Sequence, residues 1–364
     1  MTFEGTAIVY CDGAFGTTNG KTAHGLVRRS KRYRVAAVID ARHAGGDAGD
    51  VLDGVSADIP IVGTLPDAIA AAERTGAPAT HFVVGLAPDG GRLPAAGREA
   101  VRAALEAGLH VDSGLHDFLS DDAALAALAE RRSLRIRDIR KPSPRSALHF
   151  FSGKIDEVES FRVALLGTDS AIGKRTTAWI LVDGLAAAGH SAELLGTGQT
   201  AWLQGAEYSI VLDSLVNDFV SGEIEHAAWR AWKERDPEVI VLEGQGSLMN
   251  PAYPGGFELL AAGRPHVVVL QHAPARREYD GFPGFPLHGV SEQIRAIELI
   301  SGKPVVAVTV NHEGLARHEI PAACEAIRGE TGLPAHDVLT EGGAPLVRTL
   351  TPHLEAHRAA RPTA

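Results

Sequence analysis

Residues 161–178 limit the fold of this chain more than any other segment. They read Phe-Arg-Val-Ala-Leu-Leu-Gly-Thr-Asp-Ser-Ala-Ile-Gly-Lys-Arg-Thr-Thr-Ala: an apolar run, a glycine-bounded loop, Gly173-Lys174, and the start of a helical pattern. A strand that feeds a helix through such a loop turns backbone N–H groups inward and forms an anion nest. The helix start adds the positive end of its dipole. Lys174 adds a full charge for the outer phosphates of a ligand. Gly167, Thr168, Asp169, Ser170, Ala171, Ile172, Gly173, Lys174, Arg175, Thr176 and Thr177 are therefore the expected phosphate-binding residues. The usual pattern is G-x-x-x-x-G-K-[ST]. Here Thr168 takes the first glycine position, and Arg175 takes the place of the hydroxyl that normally binds magnesium.

The rest of the chain repeats this alternation. Thr6–Tyr10, Arg34–Ile39, His81–Val84, Arg162–Leu166, Ala192–Leu195, Val239–Leu242, Val267–Leu270 and Pro304–Val310 read as strands. Between them lie helical patterns such as Leu65–Thr75, Gly97–Ala107, Arg175–Ala188 and Glu292–Ile300. Strands that alternate with helices form βαβ units and parallel sheets. A chain of 364 residues has room for two domains. Arg140-Lys-Pro-Ser-Pro-Arg145 is the expected link, because two closely spaced prolines favour an extended segment over a helix. The expected division is an N-terminal α/β domain over 1–145 and a C-terminal α/β domain over 146–364. His353–Ala364 reads as a helix end and a tail.

Composition excludes several classes. With 45% hydrophobic and 22% charged residues, the chain has enough apolar matter for a core. A net charge of −10 disfavours nucleic acid as a partner. No apolar run reaches the roughly 18–20 residues that cross a bilayer, and the N-terminal residues lack the basic flank of a secretory signal. Cys11 and Cys324 stand outside any metal-ligand or redox motif. A small-molecule protein of the cytoplasm, assembled as a homo-oligomer, is the expectation.

The loop resembles that of dethiobiotin synthetase and its relatives, where G-T-D-x-x-x-G-K-T occurs. Gly198-Gln199-Thr200 resembles the Q-T-G segment of that family, and Glu243-Gly-Gln-Gly-Ser247 resembles its E-G-A-G-G. That likeness implies a magnesium role for Glu243. A second resemblance covers most of the chain. GTDSAIGKRTTA, GTGQT, Leu215–Glu225, Glu243–Tyr253 and the Cys11–Thr22 turn together resemble the DUF1611 family. Its members join a Rossmann-like N-terminal domain to a P-loop NTPase-like C-terminal domain. The family includes D-glutamate N-acetyltransferases, so the resemblance implies acetyl-CoA as the donor. Asn250 departs from the family, which has histidine in its Gly-Ser-Leu-x-His-Pro pattern.

The expected activity is N-acetyl transfer from acetyl-CoA to the amine of a small acidic amino acid such as D-glutamate. Glu243, Asp218 and Lys174 are the expected catalytic groups. The alternative is an ATP- and magnesium-dependent ligase or kinase acting on a small carboxylate, with Thr176 and Glu243 on the metal. Substrate contacts are expected from polar residues on glycine-flanked loops and strand ends: Gln199, Thr200, Gln245, Ser247, Asn250, His272 and Arg276. Lys21 and Thr22, at the end of the first glycine-rich turn, join that set. Asp40 ends the second strand, about where a ribose-binding acid sits in dinucleotide folds. Tyr279 and His288, in the Gly/Pro-rich segment 278–290, read as part of a solvated loop.

Overall fold

The computed structural model of the chain describes residues 3–360. The tail expected after the last helix therefore falls partly outside the described residues. Two compact units are present. One comprises residues 3–143 with 199–206, the other residues 144–198 with 207–360.

The first unit holds six parallel strands: β1 (Gly5–Tyr10), β2 (Tyr33–Ile39), β3 (Ile61–Val62), β4 (His81–Val84), β5 (His110–Ser113) and β6 (Ile136–Asp138). They run in the order β3-β2-β1-β4-β5-β6, which is the doubly wound Rossmann arrangement. The central strands carry unbroken apolar runs; Ala7, Ile8, Val9, Phe82, Val83 and Val84 are all buried. Such runs suit strands covered by helices on both faces.

The second unit holds β7 (Phe161–Gly167), β8 (Ala192–Leu195), β9 (Val239–Glu243), β10 (Val267–His272), β11 (Val305–Val310) and β12 (Ala335–His336). Its order is β12-β11-β10-β7-β9-β8, again parallel. The strand that enters the phosphate loop, β7, is central and buried throughout. The carboxyl ends of its neighbours β9 and β10 consequently flank that loop, where open α/β sheets place ligands. Among the described residues no helix is long and apolar enough to cross a membrane.

Residues 199–206 depart from a division of the chain at residue 145. The short helix Gln199–Gln204 packs with the first unit because its apolar side is part of that core. Leu203 is fully buried there and Trp202 packs against it. The Arg32 and Arg137 guanidinium groups lie over the Trp202 ring, 3.7 and 4.4 Å from its centroid. Gln204 donates to the Gly25 carbonyl at 2.7 Å.

Candidate functional site

The loop after β7 holds two residues in the left-handed region, which a glycine adopts freely and an alanine only at a steric cost. Gly173, directly before the helix Lys174–Ala187, has φ +92°, and Ala171 has φ +51°. Gly167 matters for another reason. A Cβ there would come within 2.8 Å of Lys174 Cδ and 2.9 Å of Ile172 Cδ1. Only glycine lets the lysine side chain fold back across the end of β7.

Lys174 is 7% exposed. Its Nζ donates to the Asp169 carbonyl at 2.6 Å and the Gly246 carbonyl at 2.8 Å. Burial pushes its pKa down to about 8, although Asp169 and Glu243 pull it upward. Glu243, at the carboxyl end of β9, is buried, and burial raises its pKa against the opposing charges of Arg175 and Lys174 and the Thr197 N–H. One carboxylate oxygen accepts from the Thr197 N–H at 3.0 Å. Thr197 Oγ1 donates to the Glu243 carbonyl at 2.9 Å and accepts from Gln245 Nε2 at 2.7 Å.

Asp169 is the brace of the loop. It is fully buried and accepts four hydrogen bonds. Oδ1 takes the Ser170 N–H at 2.7 Å and Asn250 Nδ2 at 2.8 Å; Oδ2 takes Arg276 Nη1 at 2.8 Å and the Asp280 N–H at 2.9 Å. Arg276 also donates to the Ser170 carbonyl and to Glu313. Asn250 Oδ1 accepts the Ala252 and Tyr253 N–H groups, so both ends of its amide are engaged. Thr168 Oγ1 shares a 3.0 Å hydrogen bond with His272 Nδ1, and burial lowers the His272 pKa to about 4. Near neutral pH that imidazole carries no charge.

The two threonines after Arg175 differ. Thr177 points into the sheet, where its hydroxyl donates to Gln271 at 2.7 Å; Thr309 donates to the same oxygen. Thr176 is half-buried, and no described residue hydrogen-bonds its hydroxyl. Asn311 Nδ2 donates to the Ile172 carbonyl, and Gln293 Nε2 to the Thr168 carbonyl. Sequence reasoning passed over Thr197, Gln271, Gln293 and Asn311. Gln271 and Asn311 had a usable signal, since Gln271 lies near the carboxyl end of β10, beside β7, and Asn311 directly follows β11, the next parallel strand out.

Segment 278–290 is a largely exposed loop, as expected, but it folds back on itself as a hairpin and buries Tyr279. Glu278 and Pro286 form an antiparallel bridge, and Tyr279 N–H donates to the Phe285 carbonyl. Besides the Asp280 bond to Asp169, Tyr279 is buried and its hydroxyl lies 2.7 Å from His288 Nδ1.

The structure thus gathers Lys174, Glu243, Gln245, Ser247, Asn250, His272 and Arg276 around one loop. Asp218 is not drawn in. It is exposed in the first turn of the helix Asn217–Arg235, with no ion pair or hydrogen bond to Lys174 or Glu243. Lys21, Thr22, Gln199 and Thr200 belong to the first unit, where Thr22 and Thr200 hydroxyls meet at 3.1 Å and Arg140 donates to Gln199 Oε1 at 2.9 Å. Asp40 is likewise committed internally. Its carboxylate accepts the Gly13, Phe15 and Arg42 N–H groups and bonds His43 Nδ1. The turn after β1 therefore already holds an anion from its own chain, and Asp40 does not point outward toward a ribose. Among the described residues, no group of three or more His, Cys, Asp or Glu side chains is placed to hold a metal ion.

Comparison with known proteins agrees with this layout. Residues 41–142 match a family model described as a domain of unknown function, DUF1611_N, a Rossmann-like domain. Residues 149–347 match DUF1611_C, a P-loop domain. A D-glutamate N-acetyltransferase of Tritonibacter scottomollicae is 31% identical over 79% of this chain and 84% of its own length. A second, from a Pseudoalteromonas species, is 28% identical over 75% of this chain and 81% of its own. The crystal structure of a DUF1611 family protein from Anabaena variabilis superimposes with a TM-score of 0.86 at 29% identity, covering 95% of this chain and 99% of that one.

Proposed function

This chain belongs to the DUF1611 family, and on that premise we propose that it transfers the acetyl group of acetyl-CoA to the amine of a small acidic amino acid such as D-glutamate. Its relatives named D-glutamate N-acetyltransferase support an acetyltransferase. The observation that carries the reading is the pairing, around one anion-binding loop, of a lysine with a lowered pKa and a buried glutamate with a raised one.

Acetyl transfer needs three things: a grip on the donor's phosphates, a neutral amine, and stabilisation of a developing oxyanion. The N–H groups of 168–174 and the Lys174 ammonium supply the grip. Glu243 takes the proton that the amine nitrogen loses as the C–N bond forms. Its pKa, raised by burial, makes it a stronger base than an ordinary carboxylate. Asn250, Arg276 and Asp169 hold the loop in shape. The second reading, an ATP- and magnesium-dependent ligase or kinase, draws on Thr176, whose hydroxyl no described residue engages. In that case Thr176 and Glu243 would hold the metal.

One assay separates the two. Purified protein mixed with acetyl-CoA and D-glutamate releases free thiol without ATP or magnesium under the first reading. Glu243→Gln lowers kcat/KM about 100-fold in the same assay. Production of ADP that requires magnesium and an acid substrate, with no thiol release, would establish the ligase or kinase instead.

A further inference from the structure

A cleft of about 350 Å³ opens on the second unit, apart from the phosphate loop. It lies between the helices Ile320–Thr331 and Val338–Glu341, which follow β11 and β12. That volume is within the range of small-molecule sites, and the steps above do not use it. Its buried lining is apolar, from Ile320 and Cys324; Arg317, Arg328, Thr340 and Glu341 supply the exposed polar lining. No described residue pairs with the Arg317 guanidinium. Arg328 gives Nη1 to Glu325 at 3.0 Å and Nη2 to the Ala335 carbonyl at 2.8 Å. Those two bonds hold its side chain in place and leave Nε and one N–H on each terminal nitrogen for a ligand. Glu341 spends Oε1 on the Asp337 N–H at 2.8 Å, and no described residue donates to its Oε2.

The cleft is tied to the phosphate loop by a short series of contacts. Asp337 Oδ1 accepts the Leu339 and Thr340 N–H groups, and Oδ2 lies 2.5 Å from His312 Nδ1. The adjacent Asn311 donates to the Ile172 carbonyl of the loop at 2.9 Å. With strands about 4.8 Å apart, the ends of β11 and β12 stand roughly 10–15 Å from the end of β7. An adenosine diphosphate spans that interval. A ligand that serves both places needs an anion for the loop, a flat ring for the apolar lining and a second anion for the arginines. Coenzyme A has all three: its diphosphate leads to an adenosine whose ribose bears a further phosphate. ATP lacks that last group.

Resting on the acetyl-transfer reading, we propose that this cleft holds the adenosine end of the donor, with Arg317 and Arg328 on its ribose phosphate. The adenine lies against Ile320 and Cys324, and its amino group donates to Glu341 Oε2. Guanidinium groups suit the task because their N–H groups meet phosphate oxygens in pairs. The two arginines thereby select coenzyme A over nucleotides without that phosphate, and they touch no reacting atom.

Dephospho-coenzyme A lacks only the ribose phosphate and is the probe. Calorimetry on the full chain should show it binding about 10- to 100-fold more weakly than coenzyme A. Arg317→Ala changes an exposed side chain. It should lower coenzyme A affinity about 5- to 10-fold, leave dephospho-coenzyme A within about twofold, and so narrow the gap. Arg317→Glu should deepen the loss for coenzyme A alone. In turnover the KM for acetyl-CoA should rise in step, with kcat kept within about twofold. Equal affinities of the unaltered protein for the two probes, in a protein that releases thiol, overturn this site and leave the acetyl-transfer reading intact. An Arg317→Ala loss of the same size for both probes marks a change of shape rather than a lost phosphate contact, and overturns it too. An unaltered protein that binds neither probe and releases no thiol from acetyl-CoA ends the acetyl-transfer reading and this site together.

Discussion

Lys174 and Glu243 depart from their ordinary ionisation ranges in opposite directions, and both shifts begin with burial. The consequence for pH is definite. Lys174 titrates at about 8 instead of 10.5, so its cation is present below that point and is lost as pH rises through it. Affinity for an anionic donor should fall about tenfold between pH 7 and pH 9, the drop in protonated lysine that a pKa near 8 dictates. Calorimetric titration across that range checks it, and Lys174→Met should bind weakly with the slope gone. Stability has its own sign. Between about 8 and 10.5 the unfolded chain holds more protons than the folded one, so this lysine's contribution to stability rises with pH across that window. Both residues were legible in the sequence, because a Gly-Lys step after an apolar strand and a glutamate ending another are local patterns. Tyr279 was legible only as a residue in a loop. Its contact with His288 depends on how the segment folds back on itself, and the neighbouring Asp280–Asp169 bond on a contact between distant segments. Asp40 misled for the converse reason: its place in the sequence suits a ribose ligand, but its bonds turn inward.

The phosphate loop and the hairpin over it act as one element through Asp169. The Asp169–Arg276 pair is the costly part of that junction, with the carboxylate fully buried and the guanidinium side chain 11% exposed. Arg276→Ala leaves a buried carboxylate without its counter-charge, a change that destabilises by about 3–5 kcal/mol. Urea unfolding of the variant should show that loss, and donor binding should weaken because the loop is no longer braced. At this scale the sequence told strands apart by how apolar they are. β7, β9, β10 and β11 were recognisable to within a residue or two. β5 and β6 were not. They are short and polar in sequence; in β5 the buried Asp112 accepts the Tyr33 hydroxyl at 2.6 Å and pairs with Arg137 at 2.6 and 2.9 Å, and in β6 the buried Asp138 accepts the Leu119 and Ser120 N–H groups. No local pattern announces such a partnership.

Over the whole molecule, the alternation of strand and helix was enough to read two parallel-sheet units. The path of the chain between them was not. Residues 199–206 follow β8 of the second unit, yet their Leu203 lies in the first core. A helix of only six residues carries no local signal of which core its apolar side completes. A fragment ending at residue 143 therefore lacks a piece of its own interior. It should melt at a lower temperature and bind an apolar dye more strongly than the same fragment with residues 199–206 attached through a flexible linker.

Three peptide junctions join the units, after residues 143, 198 and 206. A nick in the proline-bearing stretch at 140–145 would therefore not yield two free pieces. The halves would still travel together on a sizing column, held by a helix that one half encodes and the other half encloses.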